Sequence, residues 1–218
     1  MLFNPATGLG CINGHTVKEL VWDVIANPSL PWWLELVGAG TLDFLDVSVS
    51  KGLARITIPS DDQPVILRTT FDIKTDQFSE LGFYVYSLTN QVSQQTQNIR
   101  WGDESNGAAM YRHSTTTPEH YAKVFPSGAD RQLDYVWSLN DGNYATKPKN
   151  LGITLRPQDK EVYFTQGDHI DGDAPVWKTQ GEWQDGVMRP SLELITSSTQ
   201  TQQRSVAFSK IKLRLAHW

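Results

Sequence analysis

Apolar and polar side chains alternate with a period of two along much of this chain, and that pattern restricts the fold more than any other feature. In Val65–Ile73, Val65, Leu67, Thr69, Phe71 and Ile73 share one parity while Arg68 and Asp72 take the other. Leu133, Tyr135, Trp137 and Leu139 alternate in the same way, as do Leu151, Ile153 and Leu155. The closing segment sets Ala207, Ser209, Ile211, Leu213 and Leu215 against Lys210, Lys212 and Arg214. Successive strand residues point to opposite faces, so each segment predicts a half-buried antiparallel strand with one wet side. Leu81–Leu88 differs, being apolar or aromatic at both parities (Phe83 and Val85; Tyr84, Tyr86 and Leu88). Such a strand is central and covered twice, or its second face is a binding surface. Arg156-Pro157-Gln158-Asp159-Lys160 joins two strands as a hairpin. Many short strands separated by turns predict an all-β fold, a two-sheet antiparallel sandwich.

One segment breaks the pattern. In Val17–Ala26, Val17, Leu20, Val21, Val24 and Ile25 recur with helical spacing. Asn27-Pro28 and Leu30-Pro31 then punctuate the chain. Residues 1–30 are therefore expected to form an N-terminal arm or a short packing helix, and residues 31–218 the sandwich domain. Gln91–Gln97 and Thr196–Gln203 are polar enough to be exposed loops.

The 218 residues are enough for one sizeable core, and 39% hydrophobic with 20% charged residues is ordinary globular composition. A net charge of −5 without a basic stripe argues against a nucleic-acid partner. The single cysteine, Cys11, excludes an internal disulfide and any metal site built on several cysteines. The start Met1-Leu2-Phe3-Asn4-Pro5 lacks the basic and apolar regions of a signal peptide. No apolar stretch is long enough to span a bilayer as a helix. Synthesis in a cytoplasm, with no membrane partner, is the expectation.

Three stretches carry a family resemblance. Trp33-Leu34-Glu35-Leu36-Val37-Gly38-Ala39-Gly40-Thr41 resembles the opening strand of concanavalin-like jelly rolls, the legume-lectin and glucanase type. Asn150–Leu155, the hairpin after it and Glu161–Phe164 resemble the mid-domain hairpin of carbohydrate-binding modules in tail proteins of phages infecting Gram-positive bacteria. Lys210–Trp218 is similar to the last strand of those modules. The likeness spans roughly residues 32–218, in the form of a module inserted into a distal tail protein or carried on a tail fibre. It implies a jelly roll that recognises a cell-wall saccharide of a bacterial host, located in the virion beside other tail proteins.

Sugars expose apolar C–H faces that stack on flat rings, so a carbohydrate site combines exposed aromatics with a few convergent polar groups. Trp101, in the polar run Asn98–Glu104, has no evident core role; it is expected to be an exposed platform whose truncation weakens binding and spares folding. Asp103, Tyr111, Arg112 and His113 follow in the same region, and Trp177 and Trp183 lie in a second stretch rich in Gly and Asp. Together these seven residues form the expected ligand site. Asp168, Asp171 and Asp173 crowd three carboxylates into one turn, the donor type that calcium takes, although their spacing is not that of an EF-hand. No other cofactor is expected.

Catalytic signatures are thin. A glycosidase of this architecture needs two carboxylates facing each other across the scissile bond. The best strand acid, Glu193, has no acidic neighbour at i±2, and Asp43 and Asp46 differ in parity. Gly102-Asp103-Glu104-Ser105 is no nucleophile elbow, and His15 four residues after Cys11 makes no catalytic pair. The expected function is non-catalytic carbohydrate binding. The alternatives are a structural or assembly module using its aromatics as a protein interface, and a glycosidase or lyase of the same fold.

Overall fold

The computed structural model describes residues 9–12, 15–45, 53–58, 64–90, 95–103, 105–114, 118–126, 130–132, 149–167, 175–181, 183–196 and 204–217. Among these the chain forms strands β1 (Leu9–Ile12), β2 (His15–Asp23), β3 (Leu34–Val37), β4 (Thr41–Phe44), β5 (Ala54–Ile58), β6 (Val65–Thr69), β7 (Ile73–Lys74), β8 (Phe78–Asn90), β9 (Gln95–Gly102), β10 (Gly107–Ser114), β11 (Pro118–Phe125), β12 (Asp130–Gln132), β13 (Lys149–Arg156), β14 (Glu161–Gly167), β15 (Trp177–Gln180), β16 (Val187–Met188), β17 (Pro190–Thr196), β18 (Arg204–Phe208) and β19 (Lys210–His217). A single 3-10 turn, Thr75–Gln77, separates β7 from β8.

All pairings among the described residues are antiparallel; they build a two-sheet jelly-roll sandwich, with β7 and β16 pairing as a separate two-stranded ribbon. One sheet runs β1-β2-β19-β8-β13-β14-β15, with β18, β5 and β4 attached beside β8 to give ten strands. The other runs β12-β11-β10-β9-β17-β6-β3. Strand β8 is central, held by β13 on one side and by β19 and then β18 on the other. Its Leu81, Phe83 and Val85 are fully buried. Its other face carries Tyr84 and Tyr86, with Lys212 above both rings and Lys210 above Tyr86. That strand is thus central, as its two apolar parities suggested.

The core between the sheets holds Trp22, Trp101, Trp183, Phe83, Phe164 and Phe208, all fully buried. Burying each such side chain stabilises the fold by about 1.5–3 kcal/mol by area. The hairpin between β13 and β14 lies where the sequence placed it, with Arg156 opposite Glu161 and Lys160 in the left-handed region at φ 52°.

Three expectations are corrected. The helical reading of 17–26 fails because Val21 and Ile25, which a helical stripe needs, are 39% and 55% exposed, while Trp22 between them is buried. The segment is β2, with Leu20 and Trp22 inward and Val24 buried just after it, and its Val17–Asp23 pairs with β19. Residues 15–23 therefore belong to the sandwich itself rather than to an arm. The Val65–Ile73 run stops as a strand after Thr69: Thr70 and Phe71 bend, and the Thr69 hydroxyl caps the Phe71 carbonyl at 2.9 Å. The closing alternation is likewise two strands, broken at Ser209, whose amide donates to the Tyr86 carbonyl at 3.0 Å. The Leu133–Leu139 alternation lies outside the described residues.

Candidate functional site

Trp101 is not a platform. Gln95–Gly102 is a strand after all, with Ile99 and Trp101 pointing inward and Asn98 and Arg100 outward. The Trp101 indole N–H donates across the core to the Ile153 carbonyl at 3.3 Å. The polarity of the run misled because its outward residues are polar and only two inward ones are apolar. Trp183 is also core: it is 1% exposed, and a Cβ on Gly181 would lie 1.5 Å from its ring. Trp177 is half-buried on β15 and stacks on Phe164, with centroids 5.2 Å apart and planes at 14°.

Asp103 organises a turn. Its Oδ1 accepts from the Ser105 amide at 2.8 Å, the Ser105 hydroxyl at 2.5 Å and the Asn106 amide at 3.0 Å. Those bonds, the Ser105 hydroxyl first, hold its carboxyl below the ordinary 3.8. The turn is closed by Gly102 and Gly107 at φ 73° and 157°, where a Cβ would meet carbonyl oxygens at 2.0 and 1.9 Å. Tyr111, Arg112 and His113 lie on β10; their side chains, like Asp168, Asp171 and Asp173, fall outside what the structure describes. Register puts Tyr111 opposite Asn98 and Tyr121, and His113 opposite Thr96 and Glu119. Arg112, at the alternate parity, pairs with Gln97 and His120.

What the sequence did not indicate is how the seven-stranded sheet assembles its outer face, the one opposite core-facing Trp101, Leu192 and Leu194. One cross-strand row runs Val37–Ile66–Glu193–Asn98–Tyr111–Tyr121–Gln132. The adjoining row runs Glu35–Arg68–Ser191–Arg100–Ala109–Lys123–Asp130. At their centre the Glu193 carboxylate accepts from the Ser191 hydroxyl at 3.2 Å and from Asn98 Nδ2 at 3.4 Å. Arg100 Nη2 lies 3.5 Å from it, and both side chains are nearly nine-tenths buried. Asn98 is 5% exposed, and among the described residues its Oδ1 has no hydrogen-bond partner. Phe125 adds an aromatic face, with Arg100 6.0 Å and Lys123 5.3 Å from its centroid.

Chemically the cluster sets an amide, a hydroxyl, a guanidinium and a carboxylate beside the Phe125 ring. Glu193 was visible in the sequence only as an isolated acid. Its immediate sheet neighbours among the described residues are Ile66, Asn98, Ser191, Arg100 and Ile195, none of them a carboxylate. The other missed residue is Trp32, 73% exposed in the turn before β3. No signal in the sequence separated it from buried Trp33.

No protein-family model matches the chain. No curated protein matches it. Solved structures do match. The CBM2 module of the evolved Dit of Lactobacillus casei BL23 phage J-1 is 9% identical, covers 94% of this chain and 98% of its own, and superposes with a TM-score of 0.63. Winged bean acidic lectin, solved with methyl-α-D-galactose, is 11% identical over 93% of this chain and 100% of its own, with a TM-score of 0.59. A protein of Mycobacterium abscessus described as a β-glucanase is 10% identical over 73% of this chain and 75% of its own, at 0.50. The chain therefore has the concanavalin-like jelly-roll fold that lectins and a phage-tail module share.

Proposed function

We propose that the protein is a non-catalytic carbohydrate-binding module of a phage tail, carried in the virion, that recognises the cell-wall polysaccharide of a bacterial host. The observation that carries this reading is the Glu193–Asn98–Ser191–Arg100 cluster on the outer face of the seven-stranded sheet. Saccharide hydroxyls are both donors and acceptors, and this cluster presents both kinds of group, with one carboxylate, Glu193, among its described members. The likeness to lectins and to a phage Dit module supports the ligand class.

A fluorescent fusion of the chain is expected to decorate intact cells of at least one Gram-positive host. Polysaccharide released from those walls is expected to compete it off. A module acting only in tail assembly would label no cells, and a glycosidase would release product from the wall in proportion to protein and time.

A further inference from the structure

Trp32 is the most exposed large apolar side chain among the described residues, yet its backbone is firmly held. The Leu34 amide donates to the Pro31 carbonyl at 3.1 Å and closes the turn. The Trp32 carbonyl accepts from the Thr70 hydroxyl at 3.3 Å, and the Trp33 carbonyl from the Thr70 amide at 3.0 Å. The indole leans on Phe71, with centroids 6.3 Å apart and planes at 31°, and Phe71 packs against the core. An indole left in water adds little to folding. A ring held in place in advance costs little to order on binding.

A prearranged polar set adjoins this pair. Asp72 follows Phe71 directly, and Arg189 bridges it to Glu35: Nε lies 2.5 Å from Asp72 Oδ1 and Nη1 3.4 Å from Glu35 Oε1. Arg68 Nε donates to the same Glu35 oxygen at 2.8 Å. Two guanidinium groups and two carboxylates cancel in charge. Glu35 Oε2 and Asp72 Oδ2 have no protein donor among the described residues, and both side chains reach solvent.

We propose that Trp32 and Phe71, with Glu35 and Asp72, form a stacking subsite for a neutral pyranose at the β3 edge of the recognition face. A pyranose offers a C–H face to the indole and hydroxyl donors to the two free carboxylate oxygens. The charge-balanced set gives no preference for an anionic sugar. One indole and a half-buried phenyl ring, bordered by charges, fall far short of the roughly 800 Å² per partner of a stable protein interface. The row Glu35–Arg68–Ser191–Arg100 joins the subsite to Ser191 and Glu193 two strands away, roughly 10 Å at about 4.8 Å per strand, and to Arg100 one strand further. A single glycan chain can therefore engage both. The subsite rests on the saccharide-binding reading above.

The test titrates polysaccharide released from Gram-positive cell walls into wild-type protein and into Trp32→Ala, Trp32→Tyr and Asn98→Ala, with a thermal melt of each. Trp32→Ala is expected to bind about tenfold more weakly or worse with its melt unchanged, and Trp32→Tyr to keep most of the affinity. Ligand is expected to shield wild-type tryptophan fluorescence from acrylamide, a protection lost in Trp32→Ala. Normal binding by Trp32→Ala, with Asn98→Ala impaired, overturns the subsite and leaves the main reading standing. A melt lowered by many degrees, or a changed oligomeric state on sedimentation, overturns it in favour of a structural or interface role. Wild-type protein that binds no wall polysaccharide sinks both.

Discussion

Trp101 and Trp32 carry the same side chain into opposite environments. With its ring between the sheets and its N–H on Ile153, Trp101 should be expensive to truncate. Trp101→Ala is expected to lose about 3–5 kcal/mol of stability in urea unfolding, a cavity cost rather than a binding one. Trp32→Ala is expected to stay within about 0.5 kcal/mol of wild type, as exposed substitutions do. Asn98→Ala removes one long hydrogen bond to Glu193 and an unpartnered oxygen, so its stability cost is expected below about 1.5 kcal/mol. Its saccharide affinity is expected to fall roughly tenfold, one lost hydrogen bond in size. Asp103 supplies a pH signature. Its folded carboxyl is held below 3.8 by Ser105 and Asn106, so its contribution is complete above the unfolded value and is lost as pH falls through the folded one. Asp103→Ala should therefore lower the urea midpoint at pH 7 more than at pH 3, and equal losses at both would refute the assignment.

At the scale of elements, β2 is the sharpest case. Val17, Leu20, Val21, Val24 and Ile25 satisfy a helical period over ten residues, a window in which short apolar runs are ambiguous. Pairing with β19 resolves the ambiguity, because a strand there buries Leu20 and Trp22 together, with Val24 buried just beyond its end. Trp22 meets Phe208 edge-on at 5.5 Å and donates its N–H to the Asn27 carbonyl at 3.0 Å. Trp22→Ala is expected to cost about 3–5 kcal/mol in chemical denaturation. An N-terminal arm lying outside the sandwich would leave the midpoint untouched. Strand β9 shows the converse: it hid as a polar loop because its outward face carries Asn98 and Arg100 while only Ile99 and Trp101 turn inward.

For the whole molecule, the two sheets expose chemically different faces. The ten-stranded sheet pairs lysines with tyrosines and with acids such as Glu161, whose carboxyl is held below its ordinary value by Lys178 and then Tyr163. The seven-stranded sheet concentrates buried polar groups at its centre. Purified wall polysaccharide is expected to yield no new reducing ends or unsaturated products on long incubation. Product growing with protein and time would restore the hydrolase reading, with Glu193→Gln the variant to make first.

The alternation of side chains determined the class of fold, because a period of two has only one regular backbone solution; it located β13 and the Arg156–Lys160 hairpin, overran β6 by four residues and joined β18 to β19. The burial of Trp101 and Trp183, and the exposure of Trp32 beside buried Trp33, were decided by the tertiary structure alone. So was the convergence of Asn98, Ser191, Glu193 and Arg100. Parity along one strand says which residues share a face. Only the register between strands distant in sequence says which residues meet across it, and only the second sheet says which of the two faces is covered.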